Sequence, residues 1–330
     1  MLDIIKAVEQ RGYIDLPAPA GEKLIDEIHK LKEERDAVIL AHYYQRPEVQ
    51  DIADFTGDSL ALASIASRTD ARIILFAGVH FMAETAKILS PEKKVLLPDL
   101  NAGCSMADSC PAEDFRKFIE KYPESVVITY VNTTADVKTM SDLVCTSSNA
   151  VEVVRSVPED KRIIFAPDKN LGEYVKEITG RDMILWDGAC HVHRRFSLKK
   201  IMDLKGKHPD ASIIAHPECE KDIRGLADFI GSTSQLIDYV RKNKGKTYIV
   251  ATEPGVIHQM KKESAGSEFI PAPPALSGEC ACSECEYMKM ITLEKIYNTL
   301  LYELPEIHLD EETVRRAALP IRRMFEVTGK

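Results

Sequence analysis

AVILAHYY, residues 37–44, is an apolar run closed by polar residues. It is too short for a helix and lacks strict alternation, which is how a strand buried on both faces reads. The same kind of run returns as SVVITYVN at 125–132 and as SIIAHPE at 212–218. Each opens a set of four. ADFTG, RIILFAG and KKVLLPD complete the first set, DLVC, RIIFAPD and DMILWDG the second, and ADFIG, KTYIVATE and EFIPAP the third. Helical segments such as DSLALASIASR and TSQLIDYVRK lie between the strands. Strands alternating with helices imply parallel sheets with right-handed crossovers. The expected fold class is α/β: three similar αβα, Rossmann-like domains with parallel four-stranded sheets, related by pseudo-threefold symmetry around a central site. The expected division is N-terminal helices over 1–35, repeats over 36–122, 123–208 and 209–285, and C-terminal helices over 286–330. The flanking segments GEKLIDEIHKLKEE, ITLEKIYNTLLYEL and EETVRRAALPIRRMFE read as covering helices.

Polar residues strengthen the repeat. His42, Tyr130 and His216 are 88 and then 86 positions apart, and Tyr44, Asn132 and Glu218 keep the same offsets two residues later. Ser59, Ser147 and Thr233 also keep them, each expected to open the helix after the second strand of its set. In parallel sheets ligands bind beyond the carboxyl ends of strands, where these side chains fall. A lone strand-end His or Tyr is usually a satisfied structural residue. Six at equivalent places favour function, as a ring of donors and a possible base. For the Ser and Thr positions capping is the default, while helix N-termini aimed at one cavity would also bind phosphate or carboxylate. His193 reads either as a wall of that cavity or as a solvent-exposed residue.

The formal charge of −9, without a Lys/Arg block, argues against a nucleic-acid partner. The longest apolar run, IILFAGVHFMA, is too short for a bilayer, and MLDIIKAVEQRG lacks a signal core, so neither membrane nor export is expected. Eight cysteines are then expected to meet a reducing cytoplasm as thiols or metal ligands. Cys104 and Cys190, 86 apart, each follow the fourth strand of a set, and SGECACSECEYMK, residues 277–289, brings Cys280, Cys282 and Cys285 after the fourth strand of the last. One thiolate per repeat could hold zinc with an open position or a 4Fe–4S cluster with one iron lacking a protein ligand. Cys110, Cys145 and Cys219 read as small buried hydrophobes. An iron–sulfur hydro-lyase acting on a hydroxy acid, or a non-catalytic redox or zinc protein, remain as alternatives.

The segments AHYYQRPEVQDIADFTGDSLALA, GVHFMAETAKIL, LPDLNAGCSMAD, YVNTTADVK, CTSSNA, CHVH, HPEC, GSTSQL and YMKMITLEKIY together closely resemble the quinolinate synthase family. The resemblance runs from about residue 36 to the cysteine cluster and into the helix beyond. It implies a cytoplasmic transferase of three αβα domains around a 4Fe–4S cluster. That enzyme condenses iminoaspartate with dihydroxyacetone phosphate to give quinolinate, phosphate and two waters in de novo NAD biosynthesis, linked functionally to an enzyme supplying iminoaspartate. It implies Cys104, Cys190 and Cys285 as cluster ligands, and His42, Tyr44, Tyr130, Asn132, His193, His216 and Glu218 as active-site residues. Ser59, Ser147 and Thr233 become anion contacts. Among the clustered cysteines, Cys285 directly precedes the helix-like continuation that carries the match.

Overall fold

In a computed structural model, residues 2–275 and 283–329 of the chain are described. All twelve expected runs contain strands. β1 (Ala37–His42), β2 (Phe55–Gly57), β3 (Ile73–Ala77) and β4 (Lys94–Leu96) form a parallel sheet in the order β2-β1-β3-β4. β5 (Val126–Tyr130), β6 (Leu143–Cys145), β7 (Ile163–Ala166) and β8 (Met183–Leu185) repeat that order. So do β9 (Ser212–Ala215), β10 (Phe229–Ile230), β11 (Thr247–Ala251) and β12 (Glu268–Pro271). The middle strands are buried because helices cover both faces of a parallel sheet, and β3 and β7 are enclosed along their whole length. The edge strands β2, β6 and β10 are only two or three residues long, which limits the unpaired backbone they present.

A carboxylate fixes the first two strands of each sheet. The Ile39 N–H donates to Asp54 Oδ2 at 2.8 Å, Val127 to Asp142 at 2.8 Å and Ile213 to Asp228 at 2.8 Å. Each aspartate N–H returns a bond to the same residue's carbonyl, at 3.0, 2.8 and 2.8 Å. The latch partners obey the 88 and 86 offsets found for the site residues. Strand register agrees: Ala41 pairs with Ala77, Thr129 with Ala166 and Ala215 with Ala251, so His42, Tyr130 and His216 come next at equivalent places.

The chain forms two compact units. The first comprises Met1–Cys104, Thr134–Thr139 and Glu286–Leu319; the second comprises Ser105–Thr133, Met140–Cys285 and Pro320–Lys330. The sheet of β1–β4 belongs to the first, the other two to the second. In the first unit the helix Glu22–Glu34 turns Leu24, Ile28 and Leu31 inward, a spacing of one helical face, and packs on β1 and on the helix Leu293–Tyr302. In the second, Ile213, Ala215, Ile249, Ala251 and Cys219 share one core with Phe196 and Ile201. Among the described residues no helix is long and apolar enough to cross a membrane.

Candidate active site and the cysteine positions

Within the second unit the strand-end residues converge on Glu218. Tyr130, which ends β5, donates from its hydroxyl to Glu218 Oε1 at 2.5 Å. His216, directly after β9, accepts the Glu218 N–H at Nδ1, which leaves Nε2 facing Ser147 Oγ at 3.2 Å. The His193 and His216 rings stack with centroids 4.9 Å apart. His193 Nε2 meets Thr252 Oγ1 at 3.0 Å, and Nδ1 lies 2.9 Å from Glu218 Oε2. That second approach is out of line for a hydrogen bond, so it acts as an electrostatic contact. His193 is 1% exposed, which rejects the solvent-facing alternative.

Burial by itself would push the Glu218 carboxyl up. The two imidazoles and the Tyr130 hydroxyl outweigh it and hold the group below the usual carboxylate range. Asp168 shows the opposite balance: burial first, then the charge of Glu218, push it up, against backbone N–H groups that pull it down. Asn132 Oδ1 is buried without a hydrogen-bond partner among the described residues, an acceptor suited to a ligand donor. Ser147 and Pro217 also line a cavity of about 360 Å³ together with Arg155, Tyr174 and Gln235; Glu218 is not part of its wall.

The first unit holds His42, Tyr44, Ser59 and Cys104. His42 Nδ1 accepts the Tyr44 N–H at 3.1 Å, as His216 does from Glu218, and the two rings meet edge to face at 4.6 Å. Cys104 lies near a buried cation. Lys138 is 0% exposed, with Nζ 5.6 Å from the centre of the Phe81 ring. Burial lowers its ammonium to about 8, while Glu84 and Cys104 pull it back up.

The helix starts differ from expectation. Ser59 and Thr233 are the first residues of Ser59–Ala66 and Thr233–Lys242, but the caps are their neighbours: Asp58 accepts from Ala61 N–H, and Ser232 from Gln235 N–H in a capping box. Ser147 does not open a helix; it sits in a turn three residues ahead of Ala150–Ser156, whose N-cap is Asn149. A turn inserted by the Thr146–Asn149 hydrogen bonds delays that start. Capping therefore does not account for these three residues.

The six described cysteines form no disulfide. Cys110, Cys145 and Cys219 are 0% exposed, and burial pushes each thiol up, as expected of core packing. Cys104, Cys190 and Cys285 instead remain partly exposed, the condition a metal group needs to reach them. Cys190 also belongs, with His193 and Glu218, to a set of ligand atoms within 4.8 Å of one another. Soft thiolates partly open to solvent fit an iron–sulfur group; the mixed Cys, His and carboxylate set fits a single metal ion. Cys280 and Cys282 lie outside the described residues.

Comparison with known proteins joins this geometry to a family. The family described as Quinolinate synthetase A protein matches residues 26–326. The chain belongs to the quinolinate synthase family. Relatives named quinolinate synthase include one from Rippkaea orientalis, 57% identical over 92% of this chain and 93% of its own length. Another, from Microcystis aeruginosa, is 57% identical over 93% of this chain and 96% of its own, and one from Synechocystis sp. is 56% identical over 92% and 95%.

For this family member, the sequence reading passed over Lys138, Asp168, Glu253 and Arg224, all buried and ionisable. Arg224 donates to the Cys219 carbonyl at 2.7 Å and the Asn170 carbonyl at 3.1 Å, and Asn170 Nδ2 donates to the Glu218 carbonyl at 3.1 Å, steadying the HPEC turn. A signal existed for two of the four: Asp168 and Glu253 both come two residues after the last residue of a third strand.

Proposed function

We propose that the chain condenses iminoaspartate with dihydroxyacetone phosphate to quinolinate, releasing phosphate and two waters, as a cytoplasmic transferase in de novo NAD biosynthesis. Membership of the family supports this reading, and the cluster of buried Tyr130, Glu218 and His216 with half-buried Ser147 carries it. A proton-transfer network of this kind, with an unmet acceptor at Asn132 beside it in sequence, suits a substrate that sheds protons and water in turn. An iminoaspartate-forming enzyme would supply the first substrate. The proposed domains follow the three sheets, as 36–122, 123–208 and 209–285, between helical segments 1–35 and 286–330.

Cys104, Cys190 and Cys285 are the proposed ligands of a 4Fe–4S cluster. When bound, its iron lacking a protein ligand supplies a Lewis acid for loss of hydroxide. Ser59, Ser147 and Thr233, relieved of capping, hold the phosphate and carboxylates. Glu218 takes the proton in the ketone-to-aldehyde isomerisation. Held below the usual carboxylate range by its neighbours, it is in the accepting form at neutral pH but binds a proton weakly, so His216, Tyr130 and Tyr44 share the relay. His42, Asn132 and His193 orient the chain of the substrate.

Anaerobic reconstitution tests the reading. Brown protein with about four irons per chain should form quinolinate from the two substrates, and Cys104→Ala, Cys190→Ala and Cys285→Ala should each lose the cluster. The close grouping of Cys190, His193 and Glu218 favours a second reading, a single bound metal ion. One zinc per active chain, without sulfide, would select it and reject the cluster.

A further inference from the structure

The three cysteine-bearing segments are held to their sheets in three different ways. The residue two positions beyond each third strand is the N-cap of the next helix: Val79, Asp168 and Glu253. In the first repeat the N–H of the next residue, His80, donates to the Ala102 carbonyl at 2.7 Å, two residues before Cys104. In the second, the Lys169 N–H makes the matching bond to the Gly188 carbonyl at 2.9 Å, two residues before Cys190. Gly188 is needed there, because a Cβ would stand 2.4 Å from the Pro167 carbonyl oxygen. In the third repeat the corresponding residue is Pro254, which has no N–H to give.

The carboxylates change in step. Val79 offers none. Asp168 divides its oxygens: Oδ1 accepts Leu171 N–H at 2.7 Å, starting its helix, and Oδ2 accepts Cys190 N–H at 3.0 Å. Glu253 does the same with one more methylene of reach, Oε2 accepting Gly255 N–H at 2.7 Å and Oε1 accepting Cys285 N–H at 3.2 Å. Both side chains are 0% exposed, so their oxygens depend on these N–H donors in place of water. The arm is backbone alone for Cys104, backbone and carboxylate for Cys190, and carboxylate in place of the backbone bond for Cys285.

We propose that Asp168 and Glu253 are positioning residues for Cys190 and Cys285, each using one oxygen for its helix and the other to fix where the thiol projects. The inference rests on the reading of those cysteines as ligands. Among the described residues of the cysteine-rich segment, Cys285 is the one Glu253 holds.

An amide separates the two duties, because Asn or Gln keeps one accepting oxygen and turns an NH2 toward the other donor. The shorter bond should keep the oxygen, so Asp168→Asn and Glu253→Gln retain the helix start and release the cysteine. In the full-length, iron-free, reduced protein, amide hydrogen exchange at Cys285 should rise about tenfold in Glu253→Gln, with the melting temperature nearly unchanged. Cys190 exchange in Asp168→Asn should rise less, because the Lys169–Gly188 bond remains. After anaerobic reconstitution, release of iron to a chelator should accelerate in the same order, and Glu253→Asp, too short to reach, should behave like Glu253→Gln. Unchanged exchange at Cys285 in Glu253→Gln would overturn the proposal, as would a lower melting temperature with unaltered exchange, the signature of a cap alone. If Cys285→Ala kept its iron while Glu253→Gln still loosened the Cys285 amide, the ligand assignment would fail and the carboxylate tie would stand.

Discussion

Glu218 is ionised because of its neighbours and in spite of its burial. Removing the Tyr130 hydroxyl takes away a 2.5 Å hydrogen bond that lowers the carboxyl, so Tyr130→Phe should raise its proton affinity. Since activity needs the carboxylate, the acid limb of the kcat/KM profile should then move to higher pH, with turnover down by about 10²-fold. The profile is to be compared at equal iron content; an unmoved acid limb would remove Tyr130 from the network. Glu218→Gln should keep fold and cluster and lose turnover by a larger factor. Glu218, Tyr130 and His216 were legible in the sequence because polar residues at strand ends share an offset that buried strands do not require. Lys138 was not, since a lysine in NTTADVK reads as exposed and its burial under Phe81 depends on contacts distant in the chain. Asp168 and Glu253 had a signal in their place two residues past a third strand, but APD and ATE look like turns until the partner N–H comes from 22 or 32 residues later.

Helix ends divide labour between adjacent residues. Ser232→Ala removes a capping box and should cost about 1 kcal/mol in denaturant unfolding. Thr233→Ala next to it should cost less than Ser232→Ala and weaken the phosphate-bearing substrate, seen as a higher KM. If the two variants exchanged these effects, Thr233 would be the structural residue. The same reasoning applies to Asp58 and Ser59. At the other end of a helix, Glu303 takes a left-handed conformation with φ 53° after Leu293–Tyr302 and meets Arg72 at 3.0 Å, Lys94 at 2.7 Å and Arg35 at 3.6 Å. Hydrogen bonds from Arg72 and Lys94 lead in lowering its carboxyl to about 2. A carboxyl held lower in the folded state than in the unfolded chain stabilises above its ordinary range, near 4.5, and loses that contribution as pH falls toward 2. Glu303→Gln should therefore cost about 1 kcal/mol at neutral pH, allowing for solvent screening, and almost nothing near pH 2. Urea midpoints across that range would check it; a constant difference would point to packing.

For the whole chain, three sheets of identical strand order could be anticipated because apolar runs and polar offsets agreed independently. The carboxylate latch of Asp54, Asp142 and Asp228 lay in view in ADFTG, DLVC and ADFIG, yet an aspartate ahead of a short strand is read as turn chemistry by default. The division into two compact units was not legible, because it assigns Thr134–Thr139 by packing: Glu84 accepts the Ala135 N–H at 3.0 Å, drawing a piece of the second repeat's sequence into the first unit. Asp228→Ala should strand the N–H of Ile213, which is 3% exposed, and lower stability by about 1–3 kcal/mol, measured as a shift in urea midpoint without change in slope. A neutral result would make the latch a passive consequence of strand pairing. The latch partners are 15 residues apart in all three repeats, whereas the carboxylate-to-cysteine intervals are 22 and 32. The first interval thus behaves as a gauge and the second as slack. Lengthening by a single residue between Ile39 and Asp54 should be poorly tolerated, since a slip of one turns every later side chain of the second strand to the opposite face. Ten additional residues have already been accommodated on the cysteine side. Insertions meant to carry a tag or a reporter therefore belong downstream of the third strand of a repeat, never between its first and second.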